Sequence, residues 1–218
     1  MKMTARKALF AVTVLAAALA GCGKPGDIVI EQGVGITALR SACPAVGVPD
    51  FTGNVTLFRP ADARTADAID VTAALTNVRS QCSDSGDDVV ANATFDVLAQ
   101  RSDTRGARSV TLPYYSTVIR GGNAVIAKRL GSVTLNFADG QDRTFASGTA
   151  GAIVNRAAAT LPPEIRERIT ARRRAGEEEA AVDPLSDPEV QTAVARASFE
   201  LLIGFQLTED QLAYNATR

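Results

Sequence analysis

The chain has 218 residues, a formal net charge of −1, no histidine and no tryptophan. The near-neutral charge excludes a general nucleic-acid binder, which would carry a basic footprint. The missing histidine excludes Ser-His-Asp and Cys-His triads and most zinc sites.

The first residues are cationic, with Lys2, Arg6 and Lys7 and no acid, and the apolar run Ala8 to Ala20 follows. That run is shorter than the roughly 20 apolar residues a spanning helix needs. A basic start, a short apolar middle and small residues at the end form an export signal. Its last residues are Leu19-Ala20-Gly21-Cys22, and this tetrad resembles the lipobox of bacterial lipoproteins. The resemblance implies cleavage before Cys22, diacylglycerol on its thiol and a fatty acyl group such as palmitate on the new amino group. The alternative is a plain secretory signal, or an uncleaved anchor, with Cys22 incidental. Each buried methylene contributes about 0.8 kcal/mol, so one chain binds marginally while two or three hold durably. Gly23, in place of the Asp that often retains lipoproteins at the inner membrane, implies the outer membrane of a Gram-negative bacterium, periplasmic side. Without the signal, −1 minus the +3 of Lys2, Arg6 and Lys7 leaves −4.

The chain holds three cysteines. With Cys22 taken by lipid in an oxidising compartment, Cys43 and Cys82 are expected to form one disulfide. Two free buried thiols are the alternative. The bridge would staple the N-terminal approach segment to the end of an early strand.

Residues 22–50 comprise the lipidated cysteine, a short tether and an irregular approach with one strand or short helix near Ile36 to Ala42. From about residue 51 the hydrophobic period becomes two. Ile69, Val71, Ala73 and Leu75 share a face opposite Asp70, Thr72 and Thr76. Val89, Ala91, Ala93, Phe95 and Val97 share another, with Asn92, Thr94 and Asp96 outside. Val133, Leu135 and Phe137 align likewise. Such alternation marks half-buried strands. Residues 110–119 favour a strand, but Pro113 places it at an edge or a bulge. Turn residues at 83–88, 102–106, 120–123 and 138–141 fall between the runs. The fold expected for 51–218 is mainly β: an antiparallel β-sandwich of immunoglobulin or fibronectin III-like architecture with a surface helical insertion at about 162–188. A closed barrel is the alternative.

Pro162 and Pro163 open a helix with Glu164 and Glu167 in its first turn and Arg172 to Arg174 in its last. Ile165 and Ile169 form its apolar stripe. A short helix over 188–196 and a strand over 198–207 follow, with one continuous helix over 188–206 as the alternative. Residues 208–215 form a last turn or short helix.

Arg166, Arg168, Arg172, Arg173 and Arg174 could grip an anionic ligand such as a phosphate headgroup. The plainer expectation is a solvated helix with a Glu164–Arg168 pair. Asp84, Asp87 and Asp88 match no calcium loop and read as a polar hairpin tip. Tyr114 and Tyr115 divide between core and sheet surface, or form an interface. The sequons at Asn54, Asn92 and Asn215 carry no weight in the bacterial host that the lipobox resemblance implies. No phosphate loop, metal cluster or carboxylate pair stands out, so no cofactor is expected.

The function expected is therefore non-enzymatic. The chain is expected to be a lipid-anchored binding or scaffolding module with envelope proteins as partners, the membrane held through acyl chains on Cys22, and no nucleic acid. The alternatives are a small-molecule or glycan binder and a carboxylate-based hydrolase.

Overall fold

The computed structural model describes residues 41–171 and 182–217. Up to Ile169 and from Pro184 onward they belong to one unit. The strands are β1 (Ala45–Gly47), β2 (Asn54–Phe58), β3 (Ile69–Ser83), β4 (Asp88–Arg101), β5 (Arg108–Arg120), β6 (Ala124–Phe137), β7 (Arg143–Asn155) and β8 (Phe199–Phe205). Helices α1 (Arg156–Ala159), α2 (Pro163–Thr170) and α3 (Pro188–Ala197) lie between β7 and β8, and α4 (Glu209–Thr217) follows β8.

Among the described residues the strands form two four-stranded sheets, in the orders β1-β8-β5-β6 and β2-β3-β4-β7. All neighbours are antiparallel except β1 with β8. The chain is mainly β and sandwich-like, as the period-two runs imply. Two runs bury the whole face their apolar residues mark: Val89, Ala91, Ala93, Phe95 and Val97 are at most 1% exposed, and Val133, Leu135 and Phe137 at most 4%; in β3 Val71 and Ala73 are buried while Ile69 and Leu75 are half-buried. The sheets share one core, to which β8 adds Leu201, Ile203 and Phe205. Fully burying a side chain of this size contributes about 1.5–3 kcal/mol, so one strand anchors the sheet strongly. The four expected turns all connect consecutive strands.

Several expectations are corrected. The sandwich begins before residue 51, because β1 pairs with β8. Strand β5 lies inside its sheet, between β8 and β6, despite Pro113. Pairing with β8 starts only at Tyr114 opposite Phe205, and the Pro113 carbonyl accepts a bond from the Gln206 amide at 2.9 Å. The missing N–H of Pro113 therefore falls where the neighbouring strand has ended. The irregularity in β5 sits elsewhere, between Val118 and Ile119. Asp70 alternates as foreseen but is only 7% exposed, because cations neutralise it there.

Helix α2 is shorter than the charge pattern suggests and ends at Thr170. Its stripe is as expected: Ile165 and Ile169 are buried and pack with Val190 of α3 in a satellite cluster. Asp187 caps α3, its carboxylate accepting from the Glu189 amide at 2.8 Å, and Pro188 takes the first turn. The helix and the following strand are separate elements. Ser198 is extended and breaks the helical run.

Candidate functional site: the open flank of the sandwich

β6 and β7 are the last strands of their respective sheets, and the chain passes from one to the other through the turn after Phe137. Near that turn the sheets are closed, because Arg101 clamps it. Arg101 is 2% exposed. Its Nε donates to the Gln141 carbonyl, its Nη1 to Gly106, and its Nη2 to Thr104 and Ala138, at 2.7–2.9 Å. The guanidinium also stands 5.2 Å from the Phe137 ring. One buried cation thus joins the β4–β5 and β6–β7 turns entirely through backbone oxygens. Beside it Asp70 receives both Nη atoms of Arg108 at 2.6 Å, with Arg59 at 3.5 Å. The Arg108 fork holds the Asp70 carboxyl below its ordinary range, against the opposing effect of burial.

Away from the turn, aromatic rings fill the space between sheets. Phe95 and Tyr114, from opposite sheets, meet edge-on with centroids 5.0 Å apart. Each faces a glycine on its neighbouring strand, Phe95 opposite Gly148 and Tyr114 opposite Gly131. The Tyr114 hydroxyl donates to the Thr149 carbonyl of β7 at 2.8 Å, tying the two sheets together.

Beyond this link the flank opens. A cleft of about 580 Å³ runs between the sheets, lined by Tyr114, Ser116, Arg129, Gly131, Thr149 and Gly151. Twisted sheets that touch at their centres diverge at the corners. Every residue of β6 from Ala124 to Leu130 is exposed, with Val125 at 65%, Ile126 at 56% and Leu130 at 68%.

The direction of the free backbone groups follows from register. The Pro113 carbonyl points toward Gln206, so Pro113 and its partner Ser132 form a pair not bonded to each other. Bonded and non-bonded pairs alternate in an antiparallel ladder. Lys128 and Leu130, opposite Thr117 and Tyr115, therefore also turn their N–H and C=O groups away from β5. No described strand lies on that side.

The flank carries two cations, Lys128 and Arg129. No Asp or Glu occurs from Thr104 to Ala138, and elsewhere in that span Arg105 pairs with Asp103 and Arg108 with Asp70. Lys128 lies 5.2 Å from the Tyr115 ring centroid. Arg129 faces Ser116 across the ladder and has no ion-pair partner among the described residues.

The residues singled out from sequence lie elsewhere. Cys43 and Cys82 are bridged, joining the approach segment to the end of β3. Cys22 lies outside the described residues, as do Arg172, Arg173 and Arg174. Arg168 is engaged by acids, Glu189 at 2.7 Å and Asp187, in place of the expected Glu164 pair. Two carboxylates on this guanidinium leave little attraction for an added anion. Arg166 is exposed on α2. Asp84 and Asp87 lie in the β3–β4 hairpin tip and Asp88 begins β4. No group of three potential metal ligands occurs among the described residues. Asn215 is buried, its amide bonding the Phe51 and Asn54 carbonyls, so it docks α4 on β2.

Sequence reasoning missed Arg101 and the flank. An arginine at the end of an alternating strand carries no mark of burial, and the absence of acids across the β5–β6 hairpin was the one legible signal. No protein family, no curated protein and no solved structure matches this chain.

Proposed function

We propose that this chain is a lipid-anchored, periplasm-facing protein of a Gram-negative outer membrane that works without catalysis, binding or scaffolding other envelope proteins. The lipobox residues Leu19 to Cys22 support the anchor, and the Cys43–Cys82 bridge suits an oxidising compartment. The observation that carries the binding role is the apolar and cationic outer edge of β6, beyond which no described strand lies. Exposed apolar edges are a hazard that folds commonly cover, so an uncovered one fits a partner surface. Two four-stranded sheets over one core support the further proposal of an immunoglobulin or fibronectin III-like architecture.

The test is a photo-crosslinking residue at Leu130 in the otherwise native protein, activated in intact membranes. Specific protein adducts are expected, and their absence overturns the binding role. The anchor is tested separately by fractionating Cys22→Ala; retention at the membrane at the wild-type level overturns it.

A second cleft favours the small-molecule or glycan alternative. It measures about 600 Å³ between β2 and α4, with Phe58 edge-on to Tyr214 at 5.2 Å and Arg64 4.9 Å over Phe58. An aromatic floor with guanidinium groups suits a polar ring.

A further inference from the structure

We infer that the β6 edge takes an extended segment of a partner protein as an added strand, and that this segment carries two adjacent carboxylates facing Lys128 and Arg129. The inference rests on the binding role proposed above and specifies its occupant.

Two observations converge on an extended strand. The backbone groups of Lys128, Leu130 and Ser132 point outward from the last strand of the sheet. An added strand satisfies them with main-chain bonds, while adjacent recesses read alternate side chains. The recess exists: the cleft beside Arg129 is about 580 Å³ and is lined on its far side by Thr149 and Gly151. The small residues there leave room for a visiting side chain.

Charge fixes the chemistry of the visitor. Successive residues of a strand project to opposite faces, so Lys128 and Arg129 present one cation on each side of the sheet. Lys128 lies over Tyr115 and Arg129 borders the cleft. A strand laid along them meets both cations with two consecutive acids. Apolar residues on either side then cover Leu130 and Val125, exposed by 68% and 65%. The acid-free span from Thr104 to Ala138 supplies no competing carboxylate from the hairpin itself. A second copy docked edge to edge would bring its own Lys128 and Arg129 to the same seam, and like charges there oppose pairing. A bilayer could accept the apolar and cationic side chains but not the outward N–H and C=O groups, which hydrocarbon leaves unsatisfied.

The experiment uses the full-length lipidated protein in detergent micelles and two fluorescent eight-residue peptides. One carries two adjacent carboxylates between Val-Thr flanks, and the other has lysines in their place. Fluorescence anisotropy is expected to show the acidic peptide binding at least about tenfold more tightly. Lys128→Glu/Arg129→Glu is expected to reverse that preference, a gain that misfolding could not mimic. Leu130→Pro, which removes one outward N–H, is expected to weaken both peptides. Equal binding of the two peptides, or an unchanged preference in the charge-reversed variant, overturns the inference. So does a dimer lost in Leu130→Pro, which would make a second copy the occupant. Leu130→Trp, the sole tryptophan of that chain, should shift its emission with the acidic peptide; a shift with phosphatidylglycerol vesicles alone would assign the edge to lipid instead. Crosslinks at Leu130 in membranes without peptide selectivity would retain the binding role and remove only this occupant.

Discussion

Phe95 and Gly148 are cross-strand partners, and the ring of one fills the space a side chain on the other would need. A Cβ at residue 148 would lie 2.6 Å from Phe95 Cε2 and closer still to Cζ. Gly131 stands in the same relation to Tyr114, at 2.5 Å from Cζ, whereas a Cβ at Gly204 would first meet the Thr52 side chain. Two glycines within strands, ordinarily unfavourable, thus make room for the two rings opposite them.

Gly148→Ala is therefore expected to lower stability by about 1–2 kcal/mol, overpacking outweighing the usual gain of replacing glycine in a strand. Urea unfolding measures it. Phe95→Leu in the same chain should recover part of the loss, since the clash is with the ring. Equal or greater stability of Gly148→Ala alone would refute the packing account.

Arg101→Ala is expected to cost about 3 kcal/mol or more, because charge-assisted bonds to buried carbonyls are lost together. Arg101→Lys should recover little. An ammonium is a point charge and lacks the planar fork that meets the Gln141, Gly106, Thr104 and Ala138 oxygens. Hydrogen exchange should quicken in both turns the guanidinium joins. A lysine variant with wild-type protection there would contradict this role.

Removing the disulfide by Cys43→Ala/Cys82→Ala is expected to cost about 4 kcal/mol on the chain-entropy account, given the separation of 39 residues. Whole domains have only about 5–15 kcal/mol in hand, so this would bring the fold near its limit. The midpoint of denaturation with and without reductant measures the effect, and identical midpoints would show that the bridge contributes nothing.

Acid should weaken the fold through Asp70. Its carboxyl sits below the ordinary value, chiefly because Arg108 donates to the charged form. A lowered folded-state pKa gives stabilisation that is complete above the unfolded value of about 3.9 and is lost as pH falls through the lower folded one. Stability measured from pH 6 to 2 is expected to decline below about 4. Asp70→Asn should be less stable at neutral pH and flatter over that acid range. An identical slope in the variant would remove Asp70 from the account. The absence of histidine takes away the side chain that ordinarily titrates between pH 5 and 8.

The strands β3, β4 and the inner half of β6 were legible because each has one face against the core, so alternation in sequence is alternation in burial. Helix α3 and strand β8 were legible because Asp187-Pro188 marks the start of one and Phe199 to Phe205 alternate through the other. Pro113 misled, because the cost of a missing donor depends on whether a neighbour is present at that one position. Asp70 misled because its face of the strand is covered and Arg108 compensates the charge.

Sequence by itself determined the period-two strands, the turns and the absence of histidine, all of which depend on nearest neighbours or on counting, while the Cys43–Cys82 pairing it only made an expectation. Only the tertiary structure decided that Arg101 is buried, that Arg168 is engaged by Asp187 and Glu189, and that residues 124–130 are exposed on an edge that no other described strand pairs. Those facts depend on which strand ends where and on how two twisted sheets diverge, and no local pattern encodes the position of a distant strand.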